Sequence, residues 1–275
     1  MTNKRPSRLL ALAAAIAALV GTGAHAASCG NSAAGFEPWL QQVKADAARQ
    51  GISQRAIDGA LAGVSYDANV VRLDRSQRSF KLSFEQFYAR RVSSSLISRA
   101  KGKMQQHAAL LDRIEKRYGV PPAIIVAIWG LETNFGGDGS GKHSIVRSVA
   151  TLAYDCRRPD FFRKHLMSAL RIVDRGDMSP AEMRGGWAGE IGPMQFMPAA
   201  YLNYAVDFDG NGRKDLAHSV PDMLGSTANY LKGHGWKAGA GWQPGSANFG
   251  VIQEWNKADV YARTIAVLAD KLGGR

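Results

Sequence analysis

PPAIIVAIWGLETNFGGDGSGK, residues 121–142, decides how the rest of the chain is read. Pro121 and Pro122 suit a helix start, where the missing N–H has no intrahelical acceptor to lose. Ile124, Ile125, Val126, Ile128, Trp129 and Leu131 then make the helix apolar on nearly every side. Such a helix lies inside a core. Glu132 breaks the apolar run near the C-terminal end, where burial and the negative end of the helix dipole both disfavour a charged carboxylate. Its pKa is therefore expected above the ordinary value, and an acid that keeps its proton near neutral pH can protonate a leaving oxygen. The competing reading is a helix-end glutamate that reaches solvent or pairs with arginine. The glycines that follow permit tight turns, either beside a ligand or in a plain loop.

Outward from this segment the chain reads as short helices. EPWLQQVKADAARQG buries Trp39, Leu40 and Val43 on one side and stops at Gly51, and SQRAIDGALAGV repeats the spacing with Ile57, Leu61 and Val64. Phe80, Phe84 and Phe87 form another stripe, followed by Leu110, Leu111, Ile114 and Tyr118 before Gly119. Phe161, Phe162, Leu166, Leu170 and Val173 mark a helix closed by Gly176, and SPAEM, with Ser179 as cap, predicts a further helix start. SVPDMLGSTANYLKGHG predicts a helix from Ser219 to the Gly233–Gly235 region, and a last one runs over 259–272. These stripes are read as core. The Gly- and Trp-rich stretch between them admits only short strands, so the expected class is mainly α (α+β) with a small loop/β insert.

Composition bounds the function. The 275 residues, 45% apolar, suffice for one large domain or two small ones. Lys4, Arg5 and Arg8, an apolar run from Leu9 to Val20 and the Ala24-His25-Ala26 triplet predict an export signal over 1–26, leaving 27–275 as the mature protein. An uncleaved anchor is the alternative, but the apolar run is short of the ~20 residues that span a membrane. Cys29 and Cys156 then suggest a disulfide; acylation of Cys29 is the other reading of its place beside the cut. Without the leader, 32 basic residues face 23 acidic ones, a net charge of +9. That balance favours an anionic cell-wall polymer or membrane surface, or serves solubility alone. No nucleic-acid partner is expected, because the cations are dispersed and no zinc-finger or RNA-binding motif is present. Zinc, nucleotide and nucleophile-elbow patterns are also missing.

Glycosidases with two carboxyl groups need a second acid about 5 to 9.5 Å from the first. Glu190, Asp138, Asp155 and Asp160 are candidates, and spacing distinguishes none of them. DFDGNGRKD places Asp207, Asp209, Asn211 and Asp215 at positions 1, 3, 5 and 9 of a calcium-like loop, with Gly212 at the sixth and the Arg213 carbonyl at the seventh. Position 12 is His218, where such a loop needs a bidentate glutamate, and a hydrogen-bonded turn would use the same side chains.

Five stretches taken together, IWGLETNFG, LAYDCRRPDFFRKHL, GGWAGEIGPMQFMPAAYLNYAVDFDGNG, STANYLKGHGW and FGVIQEWNKADVYARTIAVLAD, resemble the membrane-bound lytic murein transglycosylase B family. The likeness runs in order from Phe36 to Leu272. It implies a lysozyme-like transglycosylase core: a helical lobe over about 30–118, the core over 119–205, the acidic loop and short-strand insert over 206–258, and the C-terminal helix over 259–272. The resemblance implies cleavage of the bond between N-acetylmuramic acid and N-acetylglucosamine without water, giving 1,6-anhydro ends. Glu132 takes the role of sole general acid and base, while Gln195, Tyr230, Asn256 and Tyr261 match cleft positions. Arg157 and Arg158 would meet the muramyl lactyl or peptide carboxylates, or pair with Asp155 or Asp160. Asp222 would close a structural calcium site formed with Asp207, Asp209, Asn211 and Arg213; no other cofactor is implied. The chain departs from the family pattern at Gly186, where serine is frequent, at Glu190, where a small residue is usual, and at Trp255, where tyrosine is commoner.

The expected protein is a periplasmic monomer acting on peptidoglycan glycan strands, with cell-wall machinery proteins as further candidate partners. A scaffold that binds glycan without cleaving it, a hydrolytic muramidase and a calcium-responsive binding protein are the rival readings.

Overall fold

The computed structural model describes Met1 and residues 29–76, 82–137 and 141–273. The expected leader, Phe80 and Asp138 therefore lie outside the described residues. The helices are α1 Phe36–Arg49, α2 Gln54–Leu61, α3 Ala68–Arg75, α4 Phe84–Arg91, α5 Ser94–Gln106, α6 Ala108–Tyr118, α7 Pro122–Thr133, α8 Ile145–Tyr154, α9 Pro159–Asp174, α10 Pro198–Tyr204, α11 Val220–Gly233, α12 Phe249–Trp255 and α13 Asp259–Lys271. Ser53, Asp67, Ser83, Ser93, Ser144 and Ser219 each accept a backbone N–H at a helix start. Each such cap supplies about 1 kcal/mol by satisfying an otherwise orphaned donor. No helix among the described residues is long and apolar enough to cross a membrane.

Helix α7 is the centre of the fold. Every residue from Ala123 to Leu131 is buried, and α13, α5, α6 and α11 pack around it. Burying side chains such as Ile124, Ile125, Ile128 and Leu131 stabilises the fold by about 1.5–3 kcal/mol each. Gly130 stands in this helix because a Cβ there would come within 2.9 Å of the Phe135 ring, which folds back from the loop after the helix. The mainly helical class expected from the apolar stripes is thus the observed one.

Two local expectations differ from the structure. The segment 206–258 holds no strand: it folds as loops with α11 and α12, because its glycines and tryptophans lack the alternation that a sheet face needs. The strands are two-residue pieces elsewhere, β1 His143–Ser144 and β2 Arg184–Gly185, paired antiparallel with His143 opposite Gly185. At SPAEM, Ser179 and Glu182 do exchange the two bonds of a capping box, Glu182 N–H to Ser179 Oγ and Ser179 N–H to Glu182 Oε2. A single turn results instead of a helix, since Arg184 and Gly185 are drawn into β2 immediately afterwards.

The N-terminal helices are tied to α8 and α9 by polar and covalent links. Asp74, 1% exposed, receives both Arg157 and Arg158, and the equally buried Asp155 receives Arg75 at 2.6 Å. The Arg157 and Arg158 guanidinium groups are therefore paired with an acid of α3 and not with Asp155 or Asp160; Arg157 meets Asp155 through its backbone N–H at 3.2 Å. Cys29 and Cys156 form a disulfide with Cα atoms 5.0 Å apart, and Gly30 N–H bonds the Tyr154 carbonyl at 2.9 Å beside it. A thiol held in this bond is not open to acylation. The bridge closes a loop of 127 residues, so replacing both cysteines by serine should lower unfolding free energy by about 2–5 kcal/mol. Urea denaturation measures this; a midpoint equal to that of the parent protein would show that the bridge contributes nothing.

Candidate active site

Glu132 stands in the last turn of α7, and the aromatic side chains that meet it come from α12 and α13. Trp255 Nε1–H and the Tyr261 hydroxyl both donate to the same carboxyl oxygen, Oε1, at 2.8 Å each. When the acid is protonated, its proton is therefore carried on Oε2. Burial pushes the Glu132 pKa up; the Trp255 and Tyr261 bonds, and then the charge of Arg91, pull it partly back. The net direction is upward, as the position at the end of a buried helix predicts. Tyr261 is itself buried, with its pKa far above the ordinary phenol value because burial and the Glu132 carboxylate oppose its ionisation. It remains a neutral donor.

The chain turns sharply on both sides of this carboxyl. Asn134, Phe135 and Gln195 are the non-glycine residues with positive φ among those described, at 53°, 63° and 56°. For a bulky residue such as Phe135 this conformation costs on the order of 1–2 kcal/mol. Side-chain bonds hold the turn in place. Thr133 Oγ1 donates to the Pro193 carbonyl at 2.7 Å and accepts from Gly136 N–H at 3.0 Å; Arg91 donates to the Leu131 carbonyl and Arg99 to Asn134 Oδ1. Strain thus gathers where the helix end and the Gln195 turn meet.

The expected cleft residues divide into two groups. Tyr261 touches Glu132 directly. Gln195 lies in the neighbouring turn, where Nε2 donates to the Gly192 carbonyl at 2.9 Å. Tyr230 and Asn256 stand back: the Tyr230 hydroxyl donates to the Glu254 carbonyl at 2.7 Å, and Asn256 Oδ1 accepts from Ala258 N–H at 3.0 Å. Tyr230 stacks on His234 with centroids 4.1 Å apart and meets the Trp255 ring edge-on at 5.1 Å. Phe196 meets the other partner of this cluster, its ring 5.5 Å from that of Trp255. Tyr230, its pKa pushed up to about 12 by burial, thus backs the indole that holds Glu132. Of the acids considered beside Glu132, Asp155 is bound to Arg75 and Asp160 lies exposed in the first turn of α9. Glu190 is near enough for the Glu132 charge to raise its pKa further, after burial has raised it most.

Sequence reasoning did not assign Trp255 and Arg91 to this site. Trp255 sits six positions before Tyr261, across the bend from α12 into α13, and only that bend brings both donors to one oxygen. Arg91, at the end of α4, belongs to no motif.

The acidic loop folds on its own side chains. Asp207 accepts from the N–H groups of Gly210, Asn211 and Gly212, and Asn211 Oδ1 from that of Arg213. Asp222, fully buried, accepts from Phe208, Asp209 and Asp215 N–H. Asp207, Asp209 and Asp222 offer oxygens that all lie within 4.8 Å of one another. Asp215 is drawn instead to the N–H groups of Ala217 and His218. The Arg213 guanidinium turns away to Glu182 at 3.0 Å. Burial raises the Asp222 pKa, and the adjacent Asp209 charge adds to this. Three converging carboxylates, one of them buried without a cationic side chain, form a hard oxygen set that fits a calcium ion.

Known proteins place this geometry in a family. A family model described as the transglycosylase SLT domain matches residues 35–247. Membrane-bound lytic murein transglycosylase B of Escherichia coli (strain K12) is 42% identical over 135 residues, covering 49% of this chain and 37% of that protein. The match therefore spans little more than a third of that relative's length. The crystal structure of SltB3 from Pseudomonas aeruginosa, in complex with NAG-anhNAM-pentapeptide, superposes with a TM-score of 0.80 at 32% identity, covering 89% of this chain and 80% of SltB3. The Escherichia coli lytic transglycosylase Slt35 in complex with calcium gives 0.74 at 26% identity, over 85% and 92% of the two chains. With a family model covering most of its length and the same fold in these enzymes, the chain belongs to the transglycosylase SLT domain family.

Proposed function

We propose that this protein is an exported, periplasmic lytic murein transglycosylase that cleaves the β-1,4 bond between N-acetylmuramic acid and N-acetylglucosamine in peptidoglycan. The observation that carries this reading is the Glu132 carboxyl, desolvated and held through Oε1 so that Oε2 bears the proton. That proton passes to the glycosidic oxygen as its bond to the muramyl C1 breaks, and N-acetylglucosamine leaves with a hydroxyl group. The muramyl 6-hydroxyl then bonds to C1 and returns its proton to the Glu132 carboxylate, closing the 1,6-anhydro ring. No water enters, and the acid is regenerated. Relatives support the substrate class: SltB3 was crystallised with NAG-anhNAM-pentapeptide and with NAG-NAM-pentapeptide.

In this reading Trp255 and Tyr261 orient the carboxyl and stabilise its ionised form between the two steps. Gln195 offers its amide to the sugar. Tyr230 and Asn256 act through the shape of the wall, because their polar atoms are already bonded within it. Asp207, Asp209 and Asp222, with Asn211 and the Arg213 carbonyl, would hold a calcium ion that stiffens the loop; it supplies no chemistry to the reaction. The second reading, hydrolysis, has one observation in its favour: Glu190 is near enough for the Glu132 charge to raise its pKa, and a two-carboxyl hydrolase needs a second acid in that neighbourhood.

Glu132→Gln should reduce release of soluble muropeptides from purified sacculi by about 10²–10⁴-fold while leaving the melting temperature near that of the parent. Release at the parental rate would remove Glu132 from the mechanism.

The protonated acid is the form that starts the reaction, so activity falls as pH rises through the Glu132 pKa. Trp255→Phe removes a donor that favours the ionised form, so that pKa rises and the alkaline limb of the pH–rate profile moves to higher pH. A limb that moves to lower pH contradicts this assignment.

Chelation should lower the melting temperature, and added calcium should restore it; at a hundred times its Kd the ion contributes about 2.7 kcal/mol. A melting curve indifferent to both would rule out a bound ion in this loop.

A further inference from the structure

The arginines that the sequence pattern offers as carboxylate receptors, Arg157 and Arg158, are engaged by Asp74. A second set stands free of acids at the end of α7. Arg90 and Arg91 of α4 and Arg99 of α5 line a cavity of about 200 Å³ together with Ser93, Leu131 and Asn134, and no acidic residue among those described contributes to its wall. Elsewhere the arginines of this chain meet carboxylates, as Arg75 meets Asp155 and Arg213 meets Glu182. Here none does. Arg91 donates to the Leu131 carbonyl and Arg99 to Asn134 Oδ1, so two of the guanidinium groups are fixed by uncharged acceptors and their charge is not neutralised. Arg90 has no hydrogen bond or ion pair among the described residues. Ser93 caps α5 by accepting from Leu96 N–H at 3.1 Å, which brings the positive end of that helix's dipole to the same wall.

Three guanidinium groups and a helix N-terminus around a small space select an anion, and guanidinium suits a carboxylate because two N–H groups can meet its two oxygens. The place of the cavity decides which carboxylate. Its wall includes Leu131 and Asn134, one residue before Glu132 and two after it. We propose that this arginine pocket is a subsite for a carboxylate of the peptide stem carried by the muramic acid at Glu132. The source of the ligand rests on the transglycosylase reading above; the pocket itself does not. Neighbouring Cα atoms are about 3.8 Å apart and each extended residue of a peptide adds about 3.3–3.6 Å, so a stem of a few residues reaches a wall that begins one residue from the acid. Because the sugar tethers the stem, the carboxylate is presented at high effective concentration, and exposed arginines suffice to favour strands that carry it. Arg91 joins the two sites: its guanidinium lines the pocket, and its charge is felt by both Glu132 and Tyr261.

The test is calorimetric binding to the full chain carrying Glu132→Gln, which keeps the ligand intact. The probes are an N-acetylglucosamine–N-acetylmuramic acid disaccharide bearing a stem peptide with free carboxylates, and the same compound with those carboxylates amidated. Amidation should weaken binding about tenfold, the size of one charge-assisted contact. Adding Arg90→Gln or Arg99→Gln should weaken binding of the acid about 3–10-fold and shrink its advantage over the amide. Equal binding of acid and amide overturns the proposal, and so does an advantage that survives both substitutions. The amide comparison needs no arginine variant, and Arg90 is exposed without a partner, so a misfolded Arg99→Gln leaves the test intact. Inorganic phosphate and phosphatidylglycerol vesicles serve as further probes: binding of either that is lost in Arg90→Gln, with acid and amide bound equally, assigns the pocket to a free anion or a membrane and overturns the stem-peptide assignment. In turnover by the chain with Glu132 intact, the ratio of kcat/KM for peptide-bearing strands to that for amidase-stripped strands should fall about 3–10-fold in Arg90→Gln; a ratio equal to the parent's contradicts the proposal. A parent that prefers the acid to the amide but cleaves no glycan would refute the transglycosylase reading and leave the carboxylate subsite established.

Discussion

The structure depends on one arrangement: a carboxyl group placed at the end of a helix that has no polar side. Burying α7 supplies much of the apolar packing around which α5, α6, α11 and α13 gather. The same packing leaves Glu132 only partly exposed and raises its pKa, the direction that the proposed acid chemistry calls for. Stability and reactivity therefore share an origin. A more polar α7 would solvate the acid and weaken the core at once.

A half-buried acid is costly unless it is held, and the surrounding elements serve that purpose. The bend between α12 and α13 brings an indole N–H and a phenol hydroxyl to one oxygen, with Tyr230, Phe196 and His234 packed behind the indole. On the other side, left-handed Asn134, Phe135 and Gln195 give the chain two abrupt reversals. Local strain of this kind persists only where surrounding bonds fix it, as Thr133, Arg91 and Arg99 do here. The carboxyl is thus held in one orientation, as the proposed proton transfer would require.

The helices and Glu132 were legible because apolar periodicity and caps are local signals. Pro122, Gly119 and Ser219 mark helix ends where the structure has them, and the all-round apolarity of 124–131 predicts both burial and a raised acid. The partners of that acid were less legible. Trp255 and Arg91 reach the site through long-range packing of α12 and α4 on α13, which itself packs on α7, and neither sits in a spacing that encodes a carboxylate contact. Tyr230 carries the residue type expected of a cleft wall, but only the fold reveals that its hydroxyl is bonded to Glu254. Arg157 and Arg158 look like carboxylate receptors in sequence, and their partner, Asp74, lies more than eighty residues away. SPAEM has a sound helix start but no helix, because pairing with β1 captures the residues that would extend it.

The central claim is that one carboxyl performs both proton transfers and that the sugar, not water, supplies the nucleophile. Digestion of purified sacculi in 18O-labelled water, with mass spectrometry of the released muropeptides, tests it most directly. The account predicts 1,6-anhydro products lighter by one water than reducing muropeptides and free of the heavy isotope. Reducing muramyl ends carrying 18O would contradict it.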